Sequence, residues 1–167
     1  MLTIPLLICV LLSCEPWELA ALGAAILVHE SGHVLALRLC GVSLRHFRLG
    51  MSGAVLDCSA LSSAWEEILV ALAGSLFGLL WALVLTRLPH PHASYAAEVS
   101  AVLSLFNLLP VPLLDGGRIF LALGGSERLL RICGLVCVLV LLLVCIRMRL
   151  WYSCPVLLWL ALESLRC

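Results

Sequence analysis

The run Ala24-Ala25-Ile26-Leu27-Val28-His29-Glu30-Ser31-Gly32-His33-Val34-Leu35-Ala36-Leu37 sets two histidines and a glutamate inside an otherwise apolar segment. On a helix, positions i and i+4 share one face, so His29 and His33 can grip one metal ion while Glu30 lies beside it. Zinc accepts imidazole nitrogen and carboxylate oxygen at about 2.0–2.2 Å, and a catalytic zinc site keeps one position open. Chance is the competing reading. It must also account for an ionisable cluster inside a membrane span, where each charged side chain costs about 2.5–3.5 kcal/mol. The metal reading is therefore preferred.

Composition makes the surrounding segment a span rather than a core helix. Of the 167 residues, 63% are apolar and 12% charged, and the mean hydropathy is +1.18. These values lie far outside soluble composition. Crossing a bilayer takes about 20 helical residues, so the length allows roughly five or six spans with little left for a soluble domain. Six apolar segments stand out, at about 2–14, 18–40, 63–86, 96–123 with interruptions, 127–147 and 150–165. The expected fold is all-α, a single integral-membrane domain over residues 1–167 with about six transmembrane helices, the fourth of them broken. The first segment is the weakest, being short and holding Pro5. It ends in Leu12-Ser13-Cys14, faintly like a cleaved lipoprotein signal, but no basic residue precedes it and it is read as a retained span.

Between the second and third segments, Val42 to Asp57 is too polar to span and mixes β-branched, aromatic and glycine residues. It reads either as a hairpin or re-entrant strand at the membrane edge, or as a plain interfacial loop. All ten basic residues are arginine, the formal net charge is zero, and no basic run suggests nucleic acid. Arg38, Arg45, Arg48, Arg118, Arg128 and Arg131 fall on one side, against Arg87, Arg147 and Arg149 on the other. By the positive-inside rule both termini and the hairpin face the cytoplasm. The nine cysteines are odd in number and mostly inside apolar runs, so they read as small packing residues rather than disulfides or metal ligands. Gly74 and Gly78, at i and i+4, read as a close helix-packing contact. His90-Pro91-His92 reads as a solvated turn in preference to a second metal contact.

Two histidines leave a catalytic zinc one protein ligand short, and the chain has only two aspartates, Asp57 and Asp115. Asp57 lies in the polar connection, whereas Asp115 lies where the fourth segment is interrupted by Pro110, Pro112, Gly116 and Gly117. Prolines disfavour helix before them and glycines permit tight turns, so this break can present a carboxylate inward. Irregular backbone at membrane depth survives only where protein buries it or where it lines a cavity. Asp115 is thus the better third ligand; an N-cap for a helix starting near Gly117 is its other reading.

His29-Glu30-Ser31-Gly32-His33, taken with Asn107-Leu108-Leu109-Pro110-Val111-Pro112-Leu113-Leu114-Asp115-Gly116-Gly117, resembles the site-2 protease family of intramembrane zinc metalloproteases. The likeness is greatest to the bacterial branch that includes the stage IV sporulation protease, which also has six helices. It extends from about Leu22 to Ile119, and Ala73-Gly74 is similar to the family's Ala-Gly-Pro stretch, with Ser75 where many relatives have proline. The resemblance implies one Zn2+ per chain held by His29, His33 and Asp115, with Glu30 as catalytic base and Asn107 as a polar group near the scissile peptide. It implies that Val42 to Asp57 helps hold substrate extended. Because the chain stops at Cys167, regulation through an appended soluble domain is not expected.

The implied chemistry is metal-assisted hydrolysis of a peptide bond in a membrane-embedded or membrane-associated protein. Glu30 would act as base and then return the proton to the leaving amine, while Asn107 would donate to the developing oxyanion or to substrate backbone. The expected partners are a membrane-protein substrate and the lipid bilayer, and the expected location is the bacterial cytoplasmic membrane. A metal-binding transporter or scaffold without protease activity is the alternative, since transporters also use broken helices and intramembrane His and Asp. Glu30 argues against it, because a transporter has no use for a base between two ligands.

Overall fold

The computed structural model describes residues 15–42, 44–50, 53–58, 63–147, 157 and 161. The first apolar segment and nearly all of the sixth lie outside these residues. In chain order the elements are α1 (Pro16–Leu39), β1 (Leu44–Gly50), β2 (Gly53–Cys58), α2 (Ala64–Leu85), α3 (Ala93–Asn107), α4 (Asp115–Ala122) and α5 (Glu127–Arg147). Among the described residues, α1, α2 and α5 are long and apolar enough to cross a membrane. Their outward faces carry Leu27, Leu39, Leu80 and Leu143, more than half exposed, as befits helices whose solvent is lipid.

Local chemistry sets the helix ends. Pro16 opens α1, and the backbone N–H of Glu15 donates to Glu18 Oε2 at 2.8 Å in a reciprocal cap. At α2, Ser63 Oγ accepts from the Glu66 N–H at 3.3 Å, and Glu66 and Glu67 place negative charge against the positive end of the helix dipole. Between α1 and α2 the strands β1 and β2 pair antiparallel, with Gly50 opposite Gly53, Phe47 opposite Leu56, and an irregularity between Leu44 and His46. The connection is a hairpin, not a plain loop.

Central in the bundle, α2 packs against α1, α3 and α4. At one end of the molecule, the α2–α3 turn pins the start of α1, for His92 stacks on Trp17 with ring centroids 4.2 Å apart and Tyr95 meets the same indole edge-on. His92 is thus a packing contact for α1 and not only a solvated turn residue. At the other end, Arg118 of α4 reaches Glu67 of α2 at 4.0 Å.

Where the sequence places Pro110 and Pro112, helix stops at Asn107 and resumes at Asp115. Short turns carry the intervening backbone: the Leu109 N–H donates to Phe106 O, that of Val111 to Leu109 O at 2.8 Å, and that of Leu114 to Val111 O at 3.0 Å. Two glycines let α4 begin directly against this turn. A Cβ on Gly116 would collide with the carbonyls of Leu108 and Leu109, and one on Gly117 with Val111 O. Helix α5 then covers the break, with buried Val138 packing on Val111.

Candidate metal centre

His29 and His33 face inward from α1, and Asp115, the first residue of α4, meets them from across the bundle. All three are buried, at 5%, 7% and 9% exposure. His29 Nε2 lies 3.1 Å from Asp115 Oδ2 and 3.1 Å from His33 Nε2, and His33 Nε2 lies 3.2 Å from the same oxygen. The donors form a nearly equilateral triangle. A tetrahedral zinc with donors at about 2.0–2.2 Å spaces them about 3.3–3.6 Å apart, so the set is somewhat tighter than the ion requires.

The surroundings of this triangle orient its donors for a metal. His33 Nδ1 stands 2.7 Å from the Val70 carbonyl, an acceptor only, so this nitrogen carries the proton and donates. As a neutral ring His33 would turn its Nε2 lone pair inward, toward a carboxylate oxygen 3.2 Å away. In that state two lone pairs lie close in a poorly solvated interior, and a cation between them, metal or proton, relieves their repulsion. A main-chain acceptor on the outer nitrogen is also the usual device that fixes a metal-binding tautomer. His29 Nδ1, by contrast, is buried with no hydrogen-bond partner among the described residues.

Of the three expected ligands, the structure brings all together. Asp115 is not an N-cap, since Leu114 occupies that position and makes no side-chain cap. Glu30 adjoins His29 in sequence and is half-buried. Asn107 ends α3 and is also half-buried; its Nδ2 donates to Leu103 O at 3.0 Å within its own helix, rather than to the triad. Asp57 lies in β2.

Two supports escape a reading of side-chain letters. The Val70 carbonyl is main chain and has no signature in sequence. Ser75, considered only as a departure from proline, is buried and donates to Ser104 O at 3.1 Å, tying α2 to α3 one residue beyond Gly74. By helix rise, His29 lies about 20 Å from the start of α1 and about 15 Å from its end, so the centre sits inside the span, toward the hairpin end.

Comparison with known proteins agrees with this construction. The sequence pattern of peptidase family M50 matches residues 17–89 and 89–144, taking in His29, His33 and Asp115. A Synechocystis protein, sll0528, provisionally named a zinc metalloprotease, is 30% identical over 119 residues, which is 62% of this chain and 31% of that protein. The chain thus spans about a third of the length of that relative. Among solved structures, the site-2 protease from Methanocaldococcus jannaschii superposes with a TM-score of 0.72 at 20% identity, over 98% of this chain and 84% of its own. That likeness is one of fold, while the family pattern runs through most of the sequence, and the chain belongs to peptidase family M50.

Proposed function

We propose that this chain is an intramembrane zinc metalloprotease that hydrolyses a peptide bond of a membrane-embedded or membrane-associated protein. The observation that carries the reading is the buried triangle of His29, His33 and Asp115 donors inside a membrane span. These three residues would hold the zinc. When bound, the ion supplies a Lewis acid for the scissile carbonyl and makes water nucleophilic near neutral pH.

The remaining chemistry belongs to the chain's own side chains. Glu30 adjoins a ligand without being one, so its carboxylate takes a proton from the attacking water and delivers it to the leaving amine nitrogen. His33, with Nδ1–H fixed on Val70 O, keeps its ring orientation through the reaction. Asn107 already uses one amide hydrogen on Leu103 O, which leaves its second N–H and its oxygen for substrate backbone. A helical substrate hides its carbonyls in hydrogen bonds and must unwind first. The β1–β2 hairpin lies next in chain to the ligand-bearing helix and supplies strand edges where an unwound segment can pair.

In the same reading the chain is one membrane domain of about six spans, with both termini and the hairpin cytoplasmic, in a bacterial cytoplasmic membrane. The Arg118–Glu67 approach supports this by putting Arg118 near the end of α2 that follows the hairpin, on the arginine-rich side. The test is co-expression with single-span substrates alongside metal analysis of the detergent-purified protein. The parent should carry about one zinc per chain and cleave, His29→Ala and His33→Ala should lose most zinc, and Glu30→Gln should keep it while hydrolysis falls by about 10²–10⁴-fold. Parent-like cleavage by Glu30→Gln would defeat the protease assignment.

A further inference from the structure

Gly74 of α2 faces the two imidazoles. A Cβ built on it would fall on His33 Nε2, 2.5 Å from His33 Cε1 and 2.9 Å from His29 Nε2. Non-bonded carbon atoms rest about 3.5–4.0 Å apart, so even a methyl group does not fit. The atoms it would displace include two of the three donors in the triangle. A helix-packing glycine lets neighbouring backbone come close; this one borders the proposed metal ligands themselves.

Nor can α2 retreat to make room. On the α1 side the backbones already touch one turn away, since a Cβ on Gly32 would lie 2.5 Å from Ala73 O. On the opposite side, Ser75 Oγ holds Ser104 O at 3.1 Å, and a Cβ on Gly78 would collide with Ser104 Oγ. Movement away from α1 therefore drives α2 into α3. With the helix clamped from both sides, the imidazoles must yield. Rotating His33 breaks its bond to Val70 O and takes Nε2 out of the triangle.

We infer that Gly74 is a positioning residue of the metal centre, whose missing side chain is the space in which His29 and His33 present their Nε2 atoms to the metal. The inference rests on the metal-centre reading above. It goes beyond helix packing because it predicts loss of metal and not only loss of stability.

The test is zinc titration against a competing chelator on detergent-purified full chains, with thermal unfolding measured on the same samples. Gly74→Ala should elute and unfold as a folded protein yet bind zinc about 100-fold more weakly, or not at all, the scale on which outer-shell metal supports act. Gly78→Ala, which meets Ser104 and Ser100 of α3 and not the imidazoles, should lower the Tm while keeping one zinc. Gly74→Ala should also be tested with His33→Ala, which removes the nearest obstructing atoms. Its Tm cost should shrink to about 2 °C or less in that background, and if Gly74→Ala alone does not fold, the double variant should. A folded Gly74→Ala with parental zinc affinity would overturn the inference, as would an equal Tm cost with and without His33. A parent that binds no zinc would instead overturn the metal-centre reading beneath it.

Discussion

Gly116→Ala sets two opposing effects against each other at the residue after the third proposed ligand. Helix propensity alone favours the change by up to about 1 kcal/mol, because Gly116 lies in the first turn of α4 and alanine is the better helix former. The structure argues the opposite sign. The alanine Cβ would meet the carbonyls of Leu108 and Leu109, and these are main-chain atoms in a turn closed by its own hydrogen bonds, with no side chain to rotate aside. Overpacking of this kind costs about 1–3 kcal/mol. The net effect is a loss of up to ~2 kcal/mol, which for a chain of this size lowers the Tm by about 4–8 °C. Relief requires α4 to move outward by about 1 Å, given ordinary atom contacts. Asp115 moves with it, and its oxygen now stands only 3.1–3.2 Å from the two imidazole nitrogens. Zinc content should therefore fall together with Tm. Measured by metal analysis and thermal unfolding on one preparation, a Gly116→Ala chain that is more stable than the parent and holds a full zinc would refute the reasoning.

Ser75→Ala removes one hydrogen bond between α2 and α3, and since such bonds within membranes average about 0.6 kcal/mol the Tm should drop by about 1–3 °C with zinc content unchanged. Loss of zinc in that variant would make Ser75 part of the metal centre. Asp115→Asn keeps the shape but weakens the ligand, so zinc affinity and cleavage should decline in parallel, unlike Glu30→Gln. Reporter fusions after Arg48 and after Arg166 should both read as cytoplasmic, and an external signal after Arg48 would invert the proposed topology.

The clustered His29, His33 and Asp115 were legible in the sequence as candidate ligands because each carries a chemical letter that is out of place in its surroundings. His29 and His33 are spaced for one helical face, and Asp115 is one of only two aspartates, set among residues that break a helix. The hairpin was legible only as one of two readings, because the polar and glycine content of Val42 to Asp57 suits a plain interfacial loop as well. What stayed hidden involves groups that sequence does not mark. The Val70 carbonyl belongs to the main chain, and its partner lies 37 positions away. Ser75 and Gly74 look like ordinary small residues of a packed membrane helix, and only the approach of α1 and α3 from opposite sides distinguishes their duties. The stacking of His92 on Trp17 joins residues far apart in the chain, and nothing local in His90-Pro91-His92 points to it.

The division of labour among the helices follows from the solvent. Helix α1 brings two of the proposed ligands and α4 the third, while α2 supplies none and instead sets where they meet, through Val70 O, the space at Gly74 and the Ser75 bond to α3. In water a loose arrangement of this kind could be completed by solvent; inside a bilayer each unsatisfied group costs several kcal/mol and must be met by protein or metal. Charge gives the same result. With both imidazoles as ligands, the Asp115 carboxylate sits directly against the divalent cation, each offsetting charge on the other. The cluster that is electrostatically awkward as three converging donors is balanced as a loaded centre. A helix without ligands, packed on three sides and with glycine where the imidazoles converge, is what holds those donors close enough for that balance to be struck.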